Sequence, residues 1–373
     1  MECVAIIAEF NPFHNGHAWL VKKVRERFPE HTVLAVMSGN TVQRGDIAVF
    51  DKYERARTAI ENGFDLVLEL PFPFSCSAAE QFATASVSIA NSVGASVLAF
   101  GSECGDIDML CDLAEKLSAP DFLAYLDEYT AQNRETSAIM AKSSAFLTVY
   151  GKELPGGGND MLALEYIRAI RAGMYPMTPY AVHRTENFRA TDARAALRTG
   201  NVGEIERLLP NGAPSGSVGM SRGLNGLSGL ILGALRLGYC KDNGNGIVNA
   251  LQTCAERAGS FEGFISMLPT KTYTMARLRR EMMAALFSVS DADKNEAPEY
   301  TVLLGASKRG TSYLSEHKKS IRIPVLSRIA DARNLGERGR AQLEKAIRAD
   351  NVCDLSYPYP MTPMPFKTPY IGK

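Results

Sequence analysis

The sequence has little that would staple, export or anchor it. Its seven cysteines, Cys3, Cys76, Cys104, Cys111, Cys240, Cys254 and Cys353, form no CxxC pair and have no nearby histidine partner. That spacing writes neither a zinc site nor a disulfide framework, and reduced thiols in a cytoplasmic protein are the simplest expectation. No apolar run reaches the roughly 20 residues of a membrane span. The first candidate, Cys3 to Ala8, breaks at Glu9 and Asn11 and has no basic segment before it, so neither export nor anchoring in a membrane is indicated. There is no internal repeat and no net charge, because 41 Lys and Arg meet 41 Asp and Glu.

What is present is a chain of 373 residues with 46% hydrophobic composition, enough for two or three packed domains. The charge is spread unevenly: residues 271–373 hold 18 basic and 11 acidic side chains, a balance of +7, which leaves −7 on residues 1–270. A basic C-terminal part suits a polyanion such as RNA, and a solvated helical face produces the same run.

The first hundred residues alternate in pattern. Glu2–Ala8, Thr32–Ser38, Asp65–Leu70 and Ser96–Gly101 are short, Val/Leu/Ile-rich and bounded by turn residues, whereas His17–Phe28, Asp51–Asn62 and Ala78–Val93 have helical spacing. This order predicts an α/β fold with a parallel sheet, right-handed crossovers and a ligand at the carboxyl ends of the strands. Those ends fall at Glu9–Phe13, Ser38–Gly45 and Gly101–Glu103. Residues 106–150 turn helical, with Leu110, Leu113, Leu117, Phe122, Leu123 and Leu126 as apolar positions, and read as a helical insertion. A Gly/Pro loop at Lys152–Asp160, a helix over Met161–Ala172 and a strand near Tyr180–His183 then complete a unit spanning 1–205. Residues 206–229, rich in Gly, Ser, Asn and Pro, read as a linker. Residues 230–373 read as a smaller, basic α+β domain with helices over Leu230–Leu286 and strands at Tyr300–Gly305 and Ile321–Leu326.

The segment that carries chemistry is Asn11-Pro-Phe-His14-Asn-Gly-His17, between a buried strand and a helix. The first amides of a helix have no intrahelical acceptor and sit at the positive end of its dipole, so phosphate oxygens bind there. Gly16 allows close approach of the backbone, and two imidazoles three residues apart can both donate to those oxygens. Two isolated histidines would more often be structural; the strand, turn, glycine and helix around this pair favour function.

In that setting H-N-G-H resembles the HxGH signature of class I synthetases and nucleotidyltransferases. More narrowly, AIIAEFNPFHNGH (5–17), MSGNTVQRG (37–45), DKYERARTA (51–59), FGSE (100–103), NDMLALEY (159–166), TDAR (191–194) and TKTYTMARL (270–278) resemble the tRNA(Met) cytidine acetate ligase family over most of the chain. The resemblance implies a Rossmann-like sheet of the nucleotidyltransferase type. It implies activation of acetate by ATP, with Mg2+ as the companion of ATP and no protein metal site. Transfer of the acetyl group to N4 of the wobble cytidine of elongator tRNA(Met) follows from the same likeness. The matching positions imply that ATP is bound by Ile7, Ala8, Glu9, Phe10, Asn11, Pro12, Phe13, His14, Asn15, Gly16, His17, Leu20, Gly101, Asn159 and Arg184. His14, His17 and Arg194 would be catalytic. Arg194 falls in the mobile loop that often reads SATxIR in this family, and Arg189 stands here where serine is usual. For tRNA, the candidates are Arg277, Arg279, Arg280 and Lys308.

Plainer readings accompany these. Asn159 is also placed to cap a helix beginning at Asp160, Gly101 to make a strand-end turn, and Arg184 and Arg194 to form surface ion pairs. Arg44 and Lys52 suit acetate or an RNA backbone and suit a structural role as well. Glu9, in the same crevice, reads as a hydrogen-bonding partner of a sugar or of the turn itself. Two other functions are compatible with the pattern: a small-molecule adenylyltransferase of the same superfamily, and a non-catalytic RNA-binding relative.

Overall fold

The computed structural model describes residues 1–133, 138–184, 188–210, 223–239, 246–270, 272–356 and 366–372. The chain opens with β1 (Cys3–Ala8), α1 (Asn15–Arg27), β2 (Thr32–Ser38), a hairpin of β3 (Thr41–Val42) and β4 (Asp46–Ile47), α2 (Lys52–Glu61) and β5 (Leu66–Leu70). It continues through α3 (Ala79–Ser92), β6 (Val97–Ser102), α4 (Ile107–Ser118), α5 (Pro120–Gln132), α6 (Ala138–Tyr150), α7 (Gly158–Ala172) and β7 (Thr178–His183). Then follow α8 (Ala190–Thr199), α9 (Val202–Leu208), α10 (Ser228–Arg236), α11 (Ile247–Arg257), α12 (Phe261–Met267), α13 (Met275–Leu286) and α14 (Asp291–Asn295). The last elements are β8 (Thr301–Ala306), α15 (Lys308–Glu316), β9 (Val325–Leu326), α16 (Glu337–Cys353) and β10 (Tyr370–Ile371).

The main sheet runs β10-β8-β5-β2-β1-β6-β7. Its strands from β5 to β7 are parallel, in agreement with the α/β reading. Successive side chains of a strand point to opposite faces, and both faces are covered here. Cys3, Ala5 and Ile7 with Leu34, Val36, Leu66 and Leu68 pack on one side against α3, α4 and α7. Val4 and Ile6 with Val33, Ala35, Met37 and Val67 pack on the other with residues of α1 and α2. That two-sided burial is why these strands read as unbroken apolar runs.

The placement of the C-terminal strands differs from expectation. The strand expected near Tyr300–Gly305 does not belong to a separate small unit: β8 pairs antiparallel with β5 and extends the main sheet. Its run Thr301–Ala306 is almost wholly buried, and only a large sheet covered on both faces offers that environment. Of Ile321–Leu326, only Val325–Leu326 is a strand, beside β8. The described residues between 224 and 289 instead form a helical core of their own, joined to the α/β part through Ile47, Phe72 and Cys76 and through Ala346, Ala349 and Cys353 of α16. The linker expected from 206 begins inside α9, capped by the Asn201 side chain, and residues 211–222 lie outside the described ones. The expected helical insertion over 106–150 holds α4, α5 and α6 among its described residues, between β6 and β7; residues 134–137 are outside the described ones. Among the described residues no helix is long and apolar enough to cross a membrane. Cys3, Cys76, Cys104, Cys111, Cys254 and Cys353 are free thiols; Cys240 is outside the described residues.

Lys52 is resolved by burial. It is 3% exposed, and its Nζ donates to both Glu69 oxygens at 2.9 and 2.8 Å and to Asp350 at 2.7 Å. Asn40 completes the cluster, donating to Asp350 at 3.0 Å while accepting from the Lys52 amide. The network ties α2, β5 and α16 together and takes Lys52 out of reach of any ligand. Lys52→Met should therefore leave two buried carboxylates without their cation and lower unfolding stability by about 3–5 kcal/mol, read from denaturant unfolding. A change below about 1 kcal/mol would mean that the network contributes little.

Candidate active site

The carboxyl ends of β1 and β2 open onto a cleft of about 2350 Å3. Arg55, which is 1% exposed, shapes this edge from behind: it donates to the carbonyls of Ser38 (3.0 Å), Phe50 (3.0 Å), Glu9 and Gly39.

At the start of α1 the two histidines cap the helix reciprocally. His14 Nδ1 accepts from the Gly16 amide at 3.0 Å, and His17 Nδ1 accepts from the His14 amide at 3.2 Å. The rings stack with centroids 3.9 Å apart. A neutral imidazole that accepts at Nδ1 carries its proton on Nε2, so each ring keeps an N–H donor for a partner beyond the turn. A Cβ at residue 16 would lie 2.8 Å from His14 Cε1, which is why glycine stands there. Burial, followed by the charges of Arg184 and Arg194, lowers the His14 pKa to about 4. His17 is held well below the ordinary range by burial and by its neighbours His14 and Arg184.

Of the proposed nucleotide contacts, Ile7, Ala8, Glu9, Phe10, Asn11, His14, Gly16, His17, Leu20, Gly101, Asn159 and Arg184 line this cleft, and Arg194 joins them. Pro12, Phe13 and Asn15 stand behind the lining. Phe13 is a core residue against Phe10 and Phe64, the Asn11–Pro12 peptide is cis, and Asn15 turns outward to the Arg207 carbonyl at 2.9 Å. Asn11 is occupied on both sides, its Oδ1 accepting from Val49 at 2.9 Å and its carbonyl from Arg194 at 2.7 Å. Arg194 is thus a clamp on the turn as well as a cleft residue. Glu9 accepts from the Gln43 amide at 2.8 Å, and burial pushes its carboxyl above the ordinary range. Asn159 is not a helix cap: α7 starts at Gly158, and the Asn159 side chain donates to Glu103. Glu103 also accepts from the Asp160 amide at 2.9 Å, while Asp160 receives Ser102 Oγ and the amides of residues 103 and 104. Arg184 lies against Gly101, 4.0 Å from Glu103. Arg189 caps α8 by position with no side-chain cap bond, the job that a serine there would do. Residues 185–187 of that loop are outside the described ones.

The basic residues expected to hold RNA divide. Arg277, Arg279 and Arg280 line the same cleft, but Arg280 donates to the Gln43 carbonyl at 3.2 Å and Arg279 pairs with Asp46 at 3.4 Å. Both therefore fasten the β3–β4 hairpin onto α13. Lys308 is not part of this group: it starts α15, after β8 has run back antiparallel to the amino end of β5, so it sits at the opposite end of the sheet.

Residues 1–199 and 232–365 match the family model described as HIGH Nucleotidyl Transferase, the class that the parallel sheet and the HxGH turn define. The tRNA(Met) cytidine acetate ligase of Listeria monocytogenes serotype 4b (strain F2365) is 31% identical, with 95% of each chain covered. That of Caldanaerobacter subterraneus subsp. tengcongensis is 29% identical over 96% of each. Thermotoga maritima TmcAL, solved with alpha-thio ATP, superposes with a TM-score of 0.91 at 25% identity, covering 100% of this chain and 99% of that one. The chain belongs to the HIGH nucleotidyl transferase family and, within it, to the tRNA(Met) cytidine acetate ligases.

Two outcomes follow from this geometry. Because His14 stays neutral down to about pH 4, the imidazole NMR resonances of His14 and His17 should not titrate between pH 8 and about 5. The unfolded chain takes up these protons near the reference value of about 6.5, so stability should fall as the pH drops from there towards the folded value. A titration midpoint near 6.5 for either ring would contradict the buried, doubly bonded arrangement. In the hairpin, Gly45 has φ +72°, and a Cβ there would lie 2.4 Å from the Arg280 backbone nitrogen. Gly45→Ala should lower stability by about 1–3 kcal/mol through backbone strain and displaced packing, and a thermal melt equal to that of the unaltered protein would refute the tight docking.

Proposed function

We propose that this chain is an ATP-dependent ligase that forms acetyl-adenylate and transfers its acetyl group to N4 of the wobble cytidine of elongator tRNA(Met). The observation that carries the reading is the pair of Nε2–H donors left at the start of α1 once both Nδ1 atoms are bound to backbone amides. With the positive helix end and Arg184 and Arg194 beside them, they suit a triphosphate undergoing substitution at its α-phosphorus. An acetate oxygen attacks that phosphorus, the bond to pyrophosphate breaks, and pyrophosphate leaves with the electron pair. The mixed anhydride then has AMP as a leaving group good enough for a weakly nucleophilic aromatic amine. The amine attacks the acetyl carbon, AMP departs and the N4 proton is lost to solvent or to AMP. Positioning and charge neutralisation suffice for both steps, without a protein nucleophile. Magnesium would enter with ATP and add counter-charge to its phosphates. The relatives' name supports the tRNA and acetate parts of the reading.

The test is acetate-dependent ATP–pyrophosphate exchange without RNA, followed by transfer of labelled acetate to tRNA and nucleoside analysis. His14→Asn keeps an acceptor for the Gly16 amide but removes the outward N–H. It should melt close to the parent yet exchange about 100- to 1,000-fold more slowly, the scale of one lost oxyanion donor. His17→Asn should behave likewise. An exchange rate unchanged in both variants would remove the histidines from the chemistry. Exchange with no label in cytidine would leave an adenylating enzyme with a different acceptor.

A further inference from the structure

The cleft is larger than a nucleotide needs. Its volume of about 2350 Å3 is more than twice the roughly 300–1,000 Å3 of a small-molecule site. The surplus is bounded by Thr272–Arg280, where Tyr273 and Arg277 line the wall, each half-buried. The Arg277 guanidinium lies 5.0 Å from the Tyr273 ring centre, and among the described residues Arg277 has no anionic partner. The two straddle the start of α13: the Thr274 side chain caps the helix through the Arg277 amide at 3.3 Å, and the Tyr273 amide is held by the Pro269 carbonyl at 3.0 Å. A short chain of bonds fixes the pair relative to the histidine turn. Arg280, three residues along α13 from Arg277, donates to Gln43, and Gln43 donates to Glu9 at the end of β1.

A partly buried ring at a cleft wall with a planar cation beside it is the chemistry that holds an unpaired nucleotide, the ring stacking on the base and the cation meeting base or phosphate. We propose that Tyr273 and Arg277 form a stacking platform for an unpaired base neighbouring the acceptor cytidine, an inference that rests on the reading above that RNA enters this cleft. Arg279 and Arg280 then build the wall and do not touch RNA, and Lys308 is too far round the sheet to take part in this contact.

Tyr273 also packs against the helical core, so the decisive comparison is between two bulky replacements in the full-length protein. Tyr273→Phe keeps the aromatic face, and Tyr273→Leu fills the apolar contact without one. Whole tRNA(Met) binding is read by fluorescence anisotropy, together with KM and kcat for acetyl transfer. The Phe variant should bind within about twofold of the parent, and the Leu variant about 5- to 150-fold more weakly, the span seen for one lost base–aromatic stack. The loss should appear in KM for tRNA rather than in kcat. Arg277→Lys, which keeps the charge but not the plane, should fall between them. Leu binding as tightly as Phe, or Phe losing as much as Leu, would overturn the platform. A parent protein that performs acetate-dependent exchange but labels no RNA overturns the earlier reading instead, and the platform falls with it.

Discussion

The reciprocal capping at the start of α1 is the constraint on which the site depends. Two backbone amides that would otherwise lack acceptors are satisfied by the Nδ1 atoms of the two catalytic candidates. One set of bonds therefore starts the helix, selects the imidazole tautomer, stacks the rings and directs the remaining N–H donors. It also couples folding to function, because neither ring can rotate toward a ligand without leaving an amide unpaired. Burial beside Arg184 and Arg194 adds neutrality, so the Nδ1 atoms remain acceptors and the reciprocal caps hold across the physiological pH range.

Around that turn the cations have been sorted by what they touch. Arg55 and Lys52 are inside, the first stitching carbonyls at the strand ends and the second compensating two carboxylates. Arg279 and Arg280 hold a hairpin, and Arg194 is bonded to the turn it is expected to serve. Arg184 and Arg277 remain directed at the cleft. A count of basic residues along the chain cannot make these distinctions, since each assignment depends on a carbonyl or carboxylate far away in sequence.

The hairpin between β3 and β4 links the two halves of the cleft. On one side Gln43 reports to Glu9 at the end of β1; on the other, Gly45 lets the backbone press against α13. The helical core formed by the described residues between 224 and 289 is thereby held at a set position relative to the histidine turn, as the proposed activation and transfer at one centre would require.

The sequence by itself determined the strand–turn–helix that carries His14 and His17, the alternation of the parallel strands and the helical stretch after β6. All three are local patterns: period 2 or 3.6, and residue types that a turn demands. The family resemblance rests on the same short strings. Tertiary structure alone decided that β8 returns antiparallel to the edge of the main sheet, because a buried apolar strand reads alike wherever it pairs. It decided that Lys52 is an interior cation, since Glu69 and Asp350 lie 17 and 298 residues away. It separated Lys308 from the cleft through the direction of one strand, and it joined Tyr273 and Arg277 to the histidine turn across that cleft through Arg280 and Gln43. In each case the deciding partner is distant in sequence, and pairing over such separations is set by packing and burial rather than by any local pattern.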